Sequence, residues 1–122
     1  MAKVLGIGGF FFRAKDPAAL AAWYEETFEI NQVPQDYHAK SWQQQAGTTV
    51  FAPFDQQTEY FGRPEQSWML NFRVEDLNQT VTELRQSGII VEVDETLYPN
   101  GKFARLVDPE GNPIQLWQPM EE

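Results

Sequence analysis

Apolar positions along the chain change period in the same way in each half. After the run Gly9-Phe10-Phe11-Phe12 come Asp16 and Pro17, and then Leu20, Trp23, Tyr24 and Phe28 recur every three or four residues. That spacing predicts a helix ending near Phe28, with one apolar face and with Glu25 and Glu26 lying off it. Asp16 can accept from the free amides of the first turn, and Pro17 takes the first helical position, where no N–H is missed. In the second half Asp76 caps, Leu77, Val81 and Leu84 form the stripe, and Gly88 ends the helix. Gln79 stands three residues beyond Asp76, as in a capping box.

The two halves are one unit written twice. Sliding Gly9–Ile30 onto Met69–Ile90 brings Phe12, Arg13, Asp16 and Ile30 onto Phe72, Arg73, Asp76 and Ile90. Strand signals follow each helix: Ile30–Val33, Ser41–Gln45 and Thr48–Ala52, then Ile89–Val93, Lys102–Val107 and Pro113–Gln118. Pro99-Asn100-Gly101, Asp108-Pro109-Glu110-Gly111-Asn112 and, more weakly, Ala46-Gly47 supply the turns. Each copy therefore predicts as β-α-β-β-β. The fold class is α+β, a single domain over 1–122 with modules at about 1–56 and 67–122, joined by a linker at Asp55–Gln66.

A sheet with its helix on one face leaves the other face in need of cover, which the second copy would supply, enclosing a cleft between them. Alternation assigns the sides. With Phe10, Phe12, Leu70, Phe72 and Val74 toward the helices, Gly9, Phe11, Arg13, Met69, Asn71 and Arg73 point into the cleft. By the same rule Phe103, Arg105, Gln115 and Trp117 face it, while Ala104, Leu106, Ile114 and Leu116 lie on the helix side. With Phe51, the candidate ligand-binding set is Phe11, Arg13, Phe51, Met69, Asn71, Arg73, Phe103, Arg105, Gln115 and Trp117.

Composition narrows the chemistry. The chain of 122 residues is 42% hydrophobic and 22% charged, within the globular range, and contains no Cys. A disulfide framework, a thiolate zinc site and a cysteine nucleophile are excluded, and a cytoplasmic setting is expected. The net charge of −9 opposes nucleic-acid binding. Neither a membrane-spanning stretch nor a signal-peptide layout is found, so a soluble protein is expected. His38, on a loop, is the single histidine; Ser41, Ser67 and Ser87 have no His beside them, and Gly6-Ile7-Gly8-Gly9 lacks the ending of a phosphate loop. Glu25 with Glu26 and Glu121 with Glu122 read as solvated charges. Trp42 and Gln43-Gln44-Gln45 put amides on both faces of a strand, which fits a partner interface or a cleft rim.

Two readings of the cleft residues stand side by side. Arg13, Arg73 and Arg105 would make the cleft positive enough for an anionic group, or Arg13 and Arg73 would pair with nearby Asp and Glu. The rings of Phe11, Phe51, Phe103 and Trp117, with Met69, would form a wall for a planar ligand, or be core. Gln115 and Asn71 would orient that ligand, or satisfy one another.

At Phe12-Arg13-Ala14-Lys15-Asp16 with its Ala-rich helix, and at Asp108-Pro109-Glu110-Gly111-Asn112-Pro113-Ile114-Gln115-Leu116, the sequence resembles the vicinal oxygen chelate superfamily. That superfamily groups glyoxalase I, bleomycin-resistance proteins, fosfomycin-resistance enzymes and extradiol dioxygenases. The resemblance implies two paired βαβββ modules and, in metal-dependent members, four inward ligands to one divalent ion. Those positions here are Gly9, Met69, about Phe51 and Gln115, of which only Gln115 offers an oxygen, so no metal and no cofactor is expected. The expected function is binding of a small organic molecule in the cleft. If the protein is an enzyme, the resemblance implies a metal-independent isomerase or lyase, although the cleft set holds no evident base. Two alternatives remain open. One is a bleomycin-type drug-sequestering protein, which the acidic charge favours and the arginines oppose. The other is a metal-dependent glyoxalase-like lyase or dioxygenase. A homodimer is implied by the resemblance, with modules pairing within or between chains.

Overall fold

The computed structural model describes residues 1–120; Glu121 and Glu122 lie outside them. Its elements are α1 (Pro17–Phe28), β1 (Leu70–Arg73), α2 (Leu77–Gln86), β2 (Glu92–Val93), β3 (Gly101–Val107) and β4 (Pro113–Pro119). The four strands form one mixed sheet in the order β1-β4-β3-β2, with β1 parallel to β4 and the other pairs antiparallel. The second module has thus formed as its pattern predicts, and the α+β class holds.

Local chemistry accounts for the ends of these elements. The Asp16 carboxylate accepts from the Ala19 amide at 3.1 Å, and Glu29 closes α1 in the left-handed region at φ 58°. Asp76 does the same for α2, accepting from the Gln79 amide at 3.1 Å. The capping box is only half made, because the Gln79 side chain turns forward to Glu83. The first amide of α2, on Leu77, instead donates to Gln118 Oε1 at 2.8 Å, tying the helix start to β4. Asp108 folds the β3–β4 turn by accepting from the amides of Glu110 and Asn112 at 2.8 and 3.0 Å.

Both helices cover the same sheet face. Leu20 and Tyr24 of α1 and Leu77, Val81 and Leu84 of α2 are buried with Ala104, Leu106, Ile114 and Leu116, the helix-side residues of β3 and β4. Trp23 and Phe28, also placed on the α1 stripe, are partly buried against this core. Two polar ties fix α1 to the hairpin of the other half. Tyr24 Oη donates to Asp108 Oδ2 at 2.7 Å, and Glu110 accepts from the amides of Lys15 and Asp16 at 2.7 and 3.1 Å. Asp108 Oδ2 also accepts from Asn112 Nδ2 at 2.8 Å, so this nearly solvent-free carboxylate is satisfied on all sides. Burial first, and the Asp108 hydrogen bond second, push the Tyr24 phenol far above its ordinary value.

The first module is half built. Its helix forms, but the run from Gly9 and the segments Ile30–Val33, Ser41–Gln45 and Thr48–Ala52, expected as strands, belong to none. Neither 1–15 nor 31–54 makes a single backbone–backbone hydrogen bond among the described residues. The physical reason is packing. Helix α1 is committed to the sheet of the second module, and no second sheet forms under which these segments could bury their apolar side. In the second half, the strand expected at Ile89–Val93 shortens to Glu92–Val93.

Candidate functional site

The uncovered side of the sheet carries the residues that alternation assigned to it. Ladder register sets two rows across the strands. Asn71, Gln115 and Arg105 stand opposite one another across β1, β4 and β3, and so do Arg73, Trp117 and Phe103. The Phe103 and Trp117 rings lie 6.3 Å apart, centroid to centroid, and only 4° from parallel. Both are held in place. Trp117 Nε1 donates to the Asn100 carbonyl at 2.8 Å, and Tyr98 meets Phe103 edge-on at 5.7 Å. Tyr98 is in turn fixed by donating from its hydroxyl to Asp94 Oδ2 at 2.8 Å. Trp117 is buried, whereas Phe103 and Arg105 are half-buried.

The other row is a relay of amides ending in a phenol. Asn71 Nδ2 donates to Gln115 Oε1 at 2.6 Å, and Gln115 Nε2 donates to Tyr60 Oη at 2.6 Å. The Tyr60 ring lies under the Arg105 guanidinium, whose carbon is 4.9 Å from the ring centroid. The Tyr60 hydroxyl, already an acceptor, keeps its own proton to donate outward. Tyr60 is absent from the sequence-derived set because it sits in the linker. The signal was the crowding of Phe54, Tyr60 and Phe61, whose rings do cluster within 5.1 to 5.8 Å.

Glu92 is the second residue that was missed. It stands opposite Arg105 in the β2–β3 register, so it shares that face, and its carboxylate is exposed. The alternation of Val91, Glu92 and Val93 already carried this information. The face therefore does hold a carboxylate, which corrects the expectation that it contains no candidate base.

Other members of the predicted set stand apart. Arg73 donates from Nη2 to the Gln45 carbonyl at 2.8 Å, so it bridges to the 45–47 segment and pairs with no carboxylate among the described residues. Arg13 is exposed and takes part in no hydrogen bond or ion pair among the described residues, so the expected pairing with Asp or Glu is not made there either. Phe11 and Phe51 are 93% and 87% exposed and touch no ring of the sheet face. Met69 lies half-buried just before β1. Phe10 and Phe12 stack on Trp68, at 5.1 and 4.8 Å, beside the open edge of β1. The enclosed cleft expected between two sheets is thus, in a single chain, one wall. Two shallow grooves lie elsewhere, along α1 against Pro109 and Glu110 and at the start of α2 beside Asp94 and Leu97.

The residues at the chelating positions do not fit a metal. Gly9, Phe51 and Met69 offer no hard donor, and the one amide oxygen, Gln115 Oε1, is engaged by Asn71 at 2.6 Å. Among the described residues no cluster of three or more His, Asp or Glu side chains occurs. Nor is any helix among them long and apolar enough to cross a membrane. What the face can do is stack a flat ring, accept and donate through amides and a phenol, and meet a negative charge with guanidinium groups.

A family model described as "Glyoxalase-like domain" matches residues 9–117. The structure is similar to that of TnmS3, an antibiotic binding protein from Streptomyces sp. CB03234, with a TM-score of 0.67 and 22% identity, covering 98% of this chain and 100% of that one. It is also similar to a virulence protein from Salmonella typhimurium, with a TM-score of 0.56 and 22% identity over 92% of this chain and all of the other. At these identities the likeness shows a shared fold. Comparison with curated proteins finds no match.

Proposed function

The chain belongs to the glyoxalase-like domain family, and from that premise we propose that it binds a planar organic anion, without a metal, on the sheet face of Phe103, Arg105, Gln115 and Trp117. The observation that carries the reading is the near-parallel Phe103 and Trp117 pair flanked by Arg105 and the Asn71–Gln115–Tyr60 relay. A flat ligand extends the stack, its anionic group meets the guanidinium, and the amide and phenol groups fix its orientation. The name of the similar TnmS3, an antibiotic binding protein, supports an organic small molecule as the ligand class. A cationic drug fits this face less well, because Arg73 and Arg105 share it and the −9 charge is spread over the whole chain.

Calorimetric titration with naphthoate and with a naphthyl ammonium of the same ring tests this. Naphthoate is expected to bind more tightly, and Arg105→Ala to weaken it by about 10- to 100-fold, as loss of a charge-assisted contact does. Equal binding of the two probes, or a naphthoate affinity indifferent to Arg105, overturns it.

A further inference from the structure

The surface of this chain is too large for a finished monomer. A compact protein of 14.1 kDa exposes about 6,700 Å². This chain exposes 10162 Å², an excess of roughly 3,400 Å². The excess is apolar and localised. Leu5, Ile7 and Phe11 before α1, and Val50, Phe51 and Phe54 after it, are all exposed large hydrophobics. The same stretches, 1–15 and 31–54, make no backbone–backbone hydrogen bond. Extended, β-branched and aromatic backbone with no ladder is a strand without its sheet.

We infer that residues 5–12 and 41–54 are the interface with a second copy of this chain, and that each copy lays these segments against the uncovered sheet face of the other. Two observations choose this occupant. The first half repeats the second, so another copy presents the same open segments and the same bare face, and one two-fold contact satisfies both sets at once. The area agrees as well. An excess of about 3,400 Å² per chain is far more than the roughly 800 Å² per partner of a standard interface and belongs to the obligate class, which resembles a core divided in two. The helix is already spoken for, since Tyr24 and Glu110 bind α1 to the second module of its own chain. Exchange therefore involves the strands and leaves α1 at home. The partner's Phe11 and Phe51 then become the facing wall of the ligand site. That last step rests on the ligand-binding reading; the exchange itself does not.

Sedimentation equilibrium of the full chain from low to high micromolar concentration tests the association, and amide exchange of 41–54 tests where it occurs. The expected result is a dimer with protected amides in 41–54. Val50→Asp and Phe51→Asp are each expected to raise the dissociation constant by about 100-fold or more and to expose those amides, while the helical signal of α1 and α2 persists. A monomer throughout the range, or a dimer whose dissociation neither substitution alters, overturns the proposal. Protected amides in a monomer place the segments on their own chain and overturn it equally. A dimer that fails to bind naphthoate refutes the ligand reading alone, and a monomer that binds it refutes only the exchange.

Discussion

Removing the Tyr24 hydroxyl isolates the tie between α1 and the β3–β4 turn. In Tyr24→Phe the Asp108 carboxylate keeps three donors, the amides of Glu110 and Asn112 and the Asn112 side chain, so no buried charge is orphaned. The cost is that of one buried hydrogen bond to a carboxylate, about 1.5–3 kcal/mol. At roughly 3–5 °C for each kcal/mol in a domain of this size, the melting temperature falls by about 5–12 °C. Asp108→Ala costs more, because it strands the Tyr24 hydroxyl, the Asn112 amide and two backbone N–H groups. The double variant is then expected to lose less than the sum of the two, with a coupling of about 1–3 kcal/mol.

The pH dependence has a defined sign. Burial raises the folded-state phenol above its ordinary 10.0, so the contribution of Tyr24 is complete below pH 10. Above that pH the unfolded chain releases the proton while the folded chain retains it, and stability falls as pH rises. Tyr24→Phe lacks this loss, so the gap between the two proteins narrows above pH 10. Urea unfolding of both proteins at pH 7, 10 and 11 is the assay. A difference under about 0.5 kcal/mol at pH 7, or a gap that widens with pH, refutes the reasoning.

Further outcomes follow from other contacts. Gly101 sits at φ +132°, where an added Cβ would run into the Gln118 carbonyl and Trp117 Nε1. Gly101→Ala is expected to lower stability by about 1–3 kcal/mol in thermal unfolding and to disturb Trp117 emission, whereas Gly62→Ala, with open space around its Cβ, leaves that emission unchanged. Leu116 is fully buried between the helices and the sheet, so Leu116→Ala is expected to cost about 2–5 kcal/mol in denaturant unfolding. Glu110→Gln keeps an acceptor for the amides of Lys15 and Asp16, while Glu110→Ala removes it. Only the latter is expected to accelerate hydrogen exchange at the start of α1.

What could be read from the sequence was set by how local the determining physics is. Helix α1 ends at Phe28 and α2 begins at Leu77 because caps and stripes act within a few residues. The two faces of the second sheet follow from alternation alone, which placed Phe103, Arg105, Gln115 and Trp117 together. Tyr60 was not legible, because a linker residue reaches the sheet by a tertiary path that no period encodes. The strands expected at Ser41–Gln45 and Thr48–Ala52 read correctly as apolar-alternating sequence but do not form in one chain, since a strand needs a neighbour and the pattern does not say whose. Trp42 and the three glutamines after it were open between an interface and a rim for the same reason.

The claim on which the account turns is that the Phe103–Trp117 face holds the ligand. Fluorine NMR of the protein labelled with fluorotryptophan reads all of its tryptophans at once. Titration with naphthoate is expected to shift the Trp117 resonance and leave Trp23, on the helix side of the sheet, where it was. A shift at Trp23 with Trp117 unmoved would contradict the account.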